Sequence, residues 1–106
     1  MESHSVVFVT ASGEEEAARI AHALVESRLA GCVNIIRGVR SIYGWQGKIE
    51  DDTEVLMIVK TRGSLFSELS KKVKELHGYA VPEIIGIKVG DGSKDYLDWL
   101  DEATGG

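Results

Sequence analysis

Between residues 32 and 62 the chain carries two stretches of strand-forming residues with a single polar interruption, and no other feature restricts its fold as strongly. Cys32 to Trp45 is rich in Val, Ile and Tyr, "QGKIEDD" follows as a polar turn region, and residues 54–62 are strand-like again. The pattern predicts one long hairpin. Arms of about twelve to fourteen residues at ~3.3 Å per residue approach ~40 Å, well beyond the usual strand of about five or six. Part of that hairpin must project from the body of the domain.

The flanking segments alternate strand and helix. "SVVFVT" at residues 5–10 predicts a buried strand, and "ASGEEE" then supplies a helix start. Ser12 with Glu15 has the spacing of a capping box, in which hydroxyl and carboxylate each satisfy a helix-end N–H. Ala17, Ile20, Ala21, Leu24 and Val25 recur at helical spacing, Glu14, Glu15 and Glu16 suit the positive end of the helix dipole, and Gly31 follows as a stop. Ser64 is placed to cap a second helix, whose Leu65, Phe66, Leu69, Val73 and Leu76 form one apolar stripe and which ends near His77 and Gly78. "EIIGIKV" at 83–89 is a further strand, "GDG" a turn, and "SKDYLDWLDEA" a terminal helix.

The order is β-α-β-β-α-β plus a C-terminal helix, an α+β, ferredoxin-like arrangement of an antiparallel sheet with helices on one face. A monomer with that architecture should alternate apolar and polar residues along its strands. Instead "VVFV", "VLMIV" and "EIIGIKV" are apolar at consecutive positions, as in strands buried on both sides. Another copy of the chain is the most economical cover for the second face, with the hairpin offering edge hydrogen bonds to its neighbours.

Its 106 residues fit one domain, 1–106, able to bury roughly two thirds of its unfolded surface. The ends, residues 1–4 and 103–106, are polar and small enough to be expected flexible. A net charge of -5 argues against nucleic acid, which is bound by clustered Lys and Arg. One cysteine, Cys32, excludes an intrachain disulfide and any CxxC motif. The longest apolar run, 55–59, is far too short to span a membrane, and the start "MESHSVV" lacks a basic segment followed by an apolar one, so the expected address is cytoplasmic.

Candidate functional residues are Cys32, Tyr43, Trp45, Lys48, Lys60, His77, Tyr79, Glu83 and Trp99, and none belongs to a generic catalytic motif. Most have an ordinary alternative. Cys32 opens a strand, where cysteine acts as a small buried hydrophobe, and His77 ends a helix, where imidazolium complements the dipole. Tyr43 and Trp45 share a strand face by period-two spacing and can pack across it. "EDDTE" at 50–54, near the hairpin turn, reads as a solvated charge run. Lys60 would reach for solvent, and Tyr96 with Trp99, three apart on a helix, would form a packing stripe.

Four segments carry a family resemblance. "YGWQGKIEDDTEVLMIVKTR" resembles the Y-x-W-x-G-K-I-x-x-x-x-E-V-x-x-x-x-K-T signature of the CutA1 family, the divalent-cation-tolerance proteins. "ESRLAGCVNI" is similar to that family's L-A-A-C-x-N segment, "HGYAVPEII" to its H-P-Y-E-V-P-E-I segment, and "DYLDWL" to its Y-x-x-W-L ending. The resemblance covers nearly the whole chain. It implies a ferredoxin-like homotrimer, related in architecture to PII signalling proteins, with long hairpins packing the sheets around a threefold axis. It also implies a cavity between adjacent subunits near the nine candidates named above, and copper or another divalent cation as ligand, with no obligatory cofactor. Gly78 stands where the family usually has proline and Ala80 where it has an acid; Val9 and Leu76 replace a cysteine and a histidine found in some relatives.

Three function classes follow. A metal-binding or metal-tolerance homotrimer would use the His77 imidazole and Glu83 carboxylate, with Cys32 across the interface, a donor set suited to Cu(II) or Zn(II). A PII-like sensing module would hold a small anion in the inter-subunit cleft, with Lys48 and Lys60 as charge partners and Trp45 as a wall. An enzyme would transfer protons through His77, Glu83 and Tyr79, but no nucleophile with an adjacent base can be placed. The expected partners are thus other copies of the chain and divalent ions, with no nucleic acid and no membrane.

Overall fold

A computed structural model describes residues 3–106 of the chain. Its elements are β1 (His4–Ala11), α1 (Glu14–Glu26), β2 (Cys32–Trp45), β3 (Lys48–Arg62), α2 (Phe66–Leu76), β4 (Ile84–Lys88) and α3 (Lys94–Ala103). The strands form one antiparallel sheet in the order β2-β3-β1-β4. This is the α+β, ferredoxin-like order that the sequence predicts.

Strand periodicity sets the core. Val7, Val9 and Ala11 of β1 and Val55, Met57 and Val59 of β3 point to the helix-covered face. There they meet Ala17, Ile20, Ala21 and Leu24 of α1 with Leu69 and Val73 of α2 in one cluster. Neighbours in sequence point the other way. Val6 and Phe8 of β1, Leu56 and Ile58 of β3, Ile36 of β2, and Ile85 and Ile87 of β4 share the opposite face by register. No helix covers that face at β4, where Ile85 and Ile87 are 55% and 53% exposed.

Several local expectations need correction. Gly13, not Ser12, is the N-cap of α1, and the acid that reaches back is Glu16, whose Oε1 accepts from the Ser12 N–H and hydroxyl at 3.0 and 3.1 Å. The helix start lies one residue later, so the third helical position passes from Glu15 to Glu16. At the other end α1 stops at Glu26, well before Gly31. Arg28 takes the left-handed conformation (φ 61°), while the N–H groups of Arg28 and Leu29 bond back to the carbonyls of Val25 and Leu24. Gly31 serves packing instead: a Cβ there would sit 2.5 Å from Leu100 Cδ1. Ser64 lies in a 3-10 turn, Gly63–Leu65, and the N-cap of α2 is Leu65.

The hairpin has about the length that its composition predicts. β2 has 14 residues and β3 has 15, and the molecule measures 44 Å along its longest axis. "QGKIEDD" is not a loop: only Gln46 and Gly47 form the turn, both with positive φ (50° and 78°), as a two-residue primed turn requires. Lys48 to Glu54 already pair with β2. A bulge between Ile36 and Val39, with Gly38 at φ 73°, reverses which residues of β2 face which side.

The ends are tied where described. His4 Nε2 lies 2.7 Å from Asp101 Oδ1, and Thr104 is buried while its hydroxyl and carbonyl accept from Arg62 at 2.8 and 2.6 Å. Residues 1–2 of the expected loose start lie outside the described residues.

Candidate functional site

Where the hairpin leaves the body, β2, β3 and the connection from α2 to β4 enclose a cleft of about 700 Å³. The hairpin supplies Tyr43 and Trp45, β3 supplies Glu54, and the connection supplies Tyr79 and Glu83. The bulge puts Tyr43 and Trp45 on this side, because beyond it Val39 rather than an even-numbered residue pairs across from Glu54.

The connection is pinned at three successive residues. His77 ends α2, and its ring is enclosed, with Nε2 2.6 Å from the Thr10 carbonyl and Nδ1 3.0 Å from the Tyr79 backbone N–H. A carbonyl only accepts and an amide N–H only donates, so the ring is the neutral tautomer protonated on Nε2. The Gly78 N–H donates to Glu16 Oε2 at 2.7 Å, a bond that proline at this position could not make. Tyr79 packs its ring 4.8 Å from that of His77 and donates its hydroxyl to Glu54 Oε2 at 2.8 Å.

These contacts set the electrostatics. Burial pushes the Glu16 carboxyl up, but bonds from the Ser12 and Gly78 N–H groups lead the causes that outweigh it, so Glu16 titrates below the usual glutamate value. Burial, then the bond to Glu54 and its charge, hold the Tyr79 phenol far above its ordinary value. On the hairpin, the bond from Tyr43 to Asp52, 2.7 Å, is the main cause that pushes the Tyr43 phenol up to about 12. Both phenols therefore remain donors at neutral pH.

A second group lies at the other end of the same sheet face. Cys32 pairs in register with Lys60, six residues along β3 from Glu54 and so roughly 20 Å away. Lys60 Nζ donates to Asn34 Oδ1, with Cys32 Sγ 3.9 Å from the same oxygen. Tyr96 and Trp99 of α3 meet at a tilt, ring centroids 5.4 Å apart, and the edge of the Trp99 ring reaches Gly31 beside Cys32.

The nine candidates thus divide. Tyr43, Trp45, Tyr79 and Glu83 line the cleft, and His77 supports Tyr79 from behind. Cys32, Lys60 and Trp99 belong to the distant group, and Lys48 pairs with Trp45 next to the hairpin turn. Lys60 is not free in solvent as expected, being bonded to Asn34. Nor is "EDDTE" a merely solvated run: Asp51 takes a two-pronged bond from Arg40 at 2.9 and 2.7 Å, Asp52 holds Tyr43, and Glu54 is 5% exposed. Glu54 and Glu16 went unnoticed as site residues; for Glu54 the available signal was its even-number parity with Leu56 and Ile58. Among the described residues no three His, Cys, Asp or Glu side chains gather to hold a metal ion. His77, Glu83 and Cys32 of one chain therefore do not make a metal site by themselves, and coordination through His77 Nδ1 would displace the Tyr79 N–H.

The chain resembles known proteins along nearly its whole length. Residues 5–103 match the family model described as CutA1 divalent ion tolerance protein. The divalent-cation tolerance protein CutA of Thermus thermophilus is 52% identical over 100 residues, 94% of this chain and 97% of that protein. The solved Thermus structure superposes with a TM-score of 0.93 at 51% identity, covering 96% of this chain and 99% of that one. The structure described as periplasmic divalent cation tolerance protein CutA from Archaeoglobus fulgidus gives 0.93 at 46% identity, covering 95% and 98%. Mouse protein CutA is 48% identical over 102 residues, which are 96% of this chain but only 58% of that protein. The chain belongs to the CutA1 family of divalent ion tolerance proteins.

Proposed function

We propose that the chain is a divalent-cation-binding protein that works as a homotrimer, its cation site completed across a subunit boundary. The observation that carries this reading is the chemistry of the cleft: Glu54 and Glu83 line it, and no lysine or arginine among the described residues does. A cation is drawn there and an anion repelled.

Assembly is supported by the helix-free sheet face. Fully burying an isoleucine contributes roughly 1.5–3 kcal/mol, and Ile36, Ile85 and Ile87 are each about half exposed in the single chain. In this reading the covering copy presents its Cys32 group to the cleft, as the family resemblance implies. The proposed ligands are Glu83 of one subunit with Cys32 of its neighbour, joined by His77 where its Nδ1 exchanges the Tyr79 N–H for the ion, a set suited to Cu(II) or a similar ion. The role is binding rather than catalysis. The single free cysteine and acidic surface suit a cytoplasmic setting.

Sedimentation and calorimetry test the two halves separately. The chain should sediment at three times its monomer mass at micromolar concentration, and Cu(II) affinity should fall in His77→Ala, Glu83→Gln and Cys32→Ser. A monomer would remove the shared site, and unchanged affinity in all three variants would sink the ligand assignment.

A further inference from the structure

The His77 side chain has no exposure even in the single chain, so its surroundings are set by bonds within that chain rather than by the cover of further copies. Its Nε2 donates to the Thr10 carbonyl on β1, a residue held in the sheet by pairing with Leu56. A metal-ligating imidazole is ordinarily oriented through its other ring N–H in this way, so the ring is already turned for coordination, with its lone pair on Nδ1. That lone pair is taken. The Tyr79 N–H caps it at 3.0 Å.

The cap sits on the connection between α2 and β4, and two bonds hold it shut. One residue before it, the Gly78 N–H donates to Glu16 Oε2 at 2.7 Å; at Tyr79 itself, the hydroxyl donates to Glu54 Oε2 at 2.8 Å. Glu16 is fixed in turn through its other oxygen, which accepts from Ser12 just before α1. An ion can take Nδ1 only when the Tyr79 N–H leaves it, and both bonds resist that movement. The affinity of the whole protein is then the intrinsic affinity reduced by the fraction of molecules in which the cap is open.

We infer that residues 77–79 form an autoinhibitory strap over the His77 lone pair, latched by the Glu16–Gly78 bond, and that opening the strap limits how tightly the chain takes a divalent cation. This rests on the reading of His77 as a ligand and adds what regulates it. The latch depends on Gly78, because proline at that position has no N–H to donate.

Gly78→Pro isolates the latch, since it removes the donor and leaves every charge in place. His77 already has the extended backbone (φ -83°, ψ 140°) that suits a residue before proline. In the metal-free protein, in its native assembly, hydrogen exchange of the Tyr79 amide should be roughly tenfold faster than in the parent, as for a lost hydrogen bond to a charged group. The Met57 amide in the core is the internal reference. Cu(II) affinity measured by calorimetry should rise by the same factor, because both quantities report the open fraction. Should Gly78→Pro not fold, Glu16→Gln tests the strap by exchange alone, its Tyr79 amide again faster than the parent's. Unchanged Tyr79 exchange overturns the inference, and so does faster exchange in Gly78→Pro with Cu(II) affinity equal to or below the parent's. If His77→Ala still loses affinity in those cases, the ligand assignment stands without the strap. Unchanged affinity in His77→Ala removes both.

Discussion

β3 runs through two environments, and its residues behave differently in each. In the body, Val55, Met57 and Val59 lie under α1 and α2 at 6%, 0% and 0% exposure. Toward the turn, Ile49 on the same strand is 82% exposed, and Ile42 of β2, which pairs with Asp51, is 63%. Both regions are paired strands with good strand-forming residues, so backbone pairing does not separate them. What separates them is whether a helix lies over the sheet. The body is held by apolar burial, while the hairpin is held by its ladder with side-chain links such as Arg40–Asp51 and Tyr43–Asp52.

The sharpest way to break this contrast is to remove burial from the body. Met57→Ala should lower unfolding free energy by about 2–5 kcal/mol, the range for truncating a large buried side chain to alanine. Urea denaturation followed by circular dichroism measures it. A loss below about 1 kcal/mol would mean that the helix-covered face is not the source of stability.

A smaller effect should come from Glu16, which ties the start of α1 to the connection beyond α2 and so fixes one wall of the cleft. Glu16→Gln should cost roughly 1–2 kcal/mol at neutral pH, in line with a lost hydrogen bond to a charged group. Its pH dependence has a definite sign. Because the folded-state value is depressed, the contribution is fully present above the unfolded-state glutamate value and is lost as pH falls through the folded-state value. The gap between the parent and Glu16→Gln should therefore narrow on acidification; a gap that widens would contradict the geometry.

The same contrast explains what could be read from residues alone. The body was legible because burial leaves periodicity: spacing of three and four in α1 and α2, and apolar runs in β1, β3 and β4. The cap of α1 was displaced by one residue, a shift too small for such patterns to resolve. The hairpin's length was legible, but its turn was not, since Lys48 to Asp52 are polar apart from Ile49 and look like loop while pairing in register with β2. The bulge before Val39 changes which face Tyr43 meets without leaving any mark in a period-two count. Tyr43, Trp45, Tyr79 and Glu83 were legible as site residues through their motif. Glu54 was not, because its burial depends on Tyr79, 25 residues away in sequence.

The smallest effect should lie in the hairpin and touch chemistry more than stability. Tyr43 is exposed, so its titration near 12 comes chiefly from the hydrogen bond to Asp52, then from burial and the charges of Asp52, Glu54 and Glu50. Asp52→Asn removes one charge and weakens that bond while leaving the backbone ladder between Ser41 and residue 52 in place. The Tyr43 phenol should then move down toward its ordinary value near 10, with little change in melting temperature. Carbon NMR of labelled tyrosine resolves Tyr43 from Tyr79 and Tyr96 across an alkaline titration. A Tyr43 value unmoved by Asp52→Asn would place the cause elsewhere in the cleft, with Glu54 the next charge in order of contribution, and would make the hairpin wall part of the same electrostatic unit as the body.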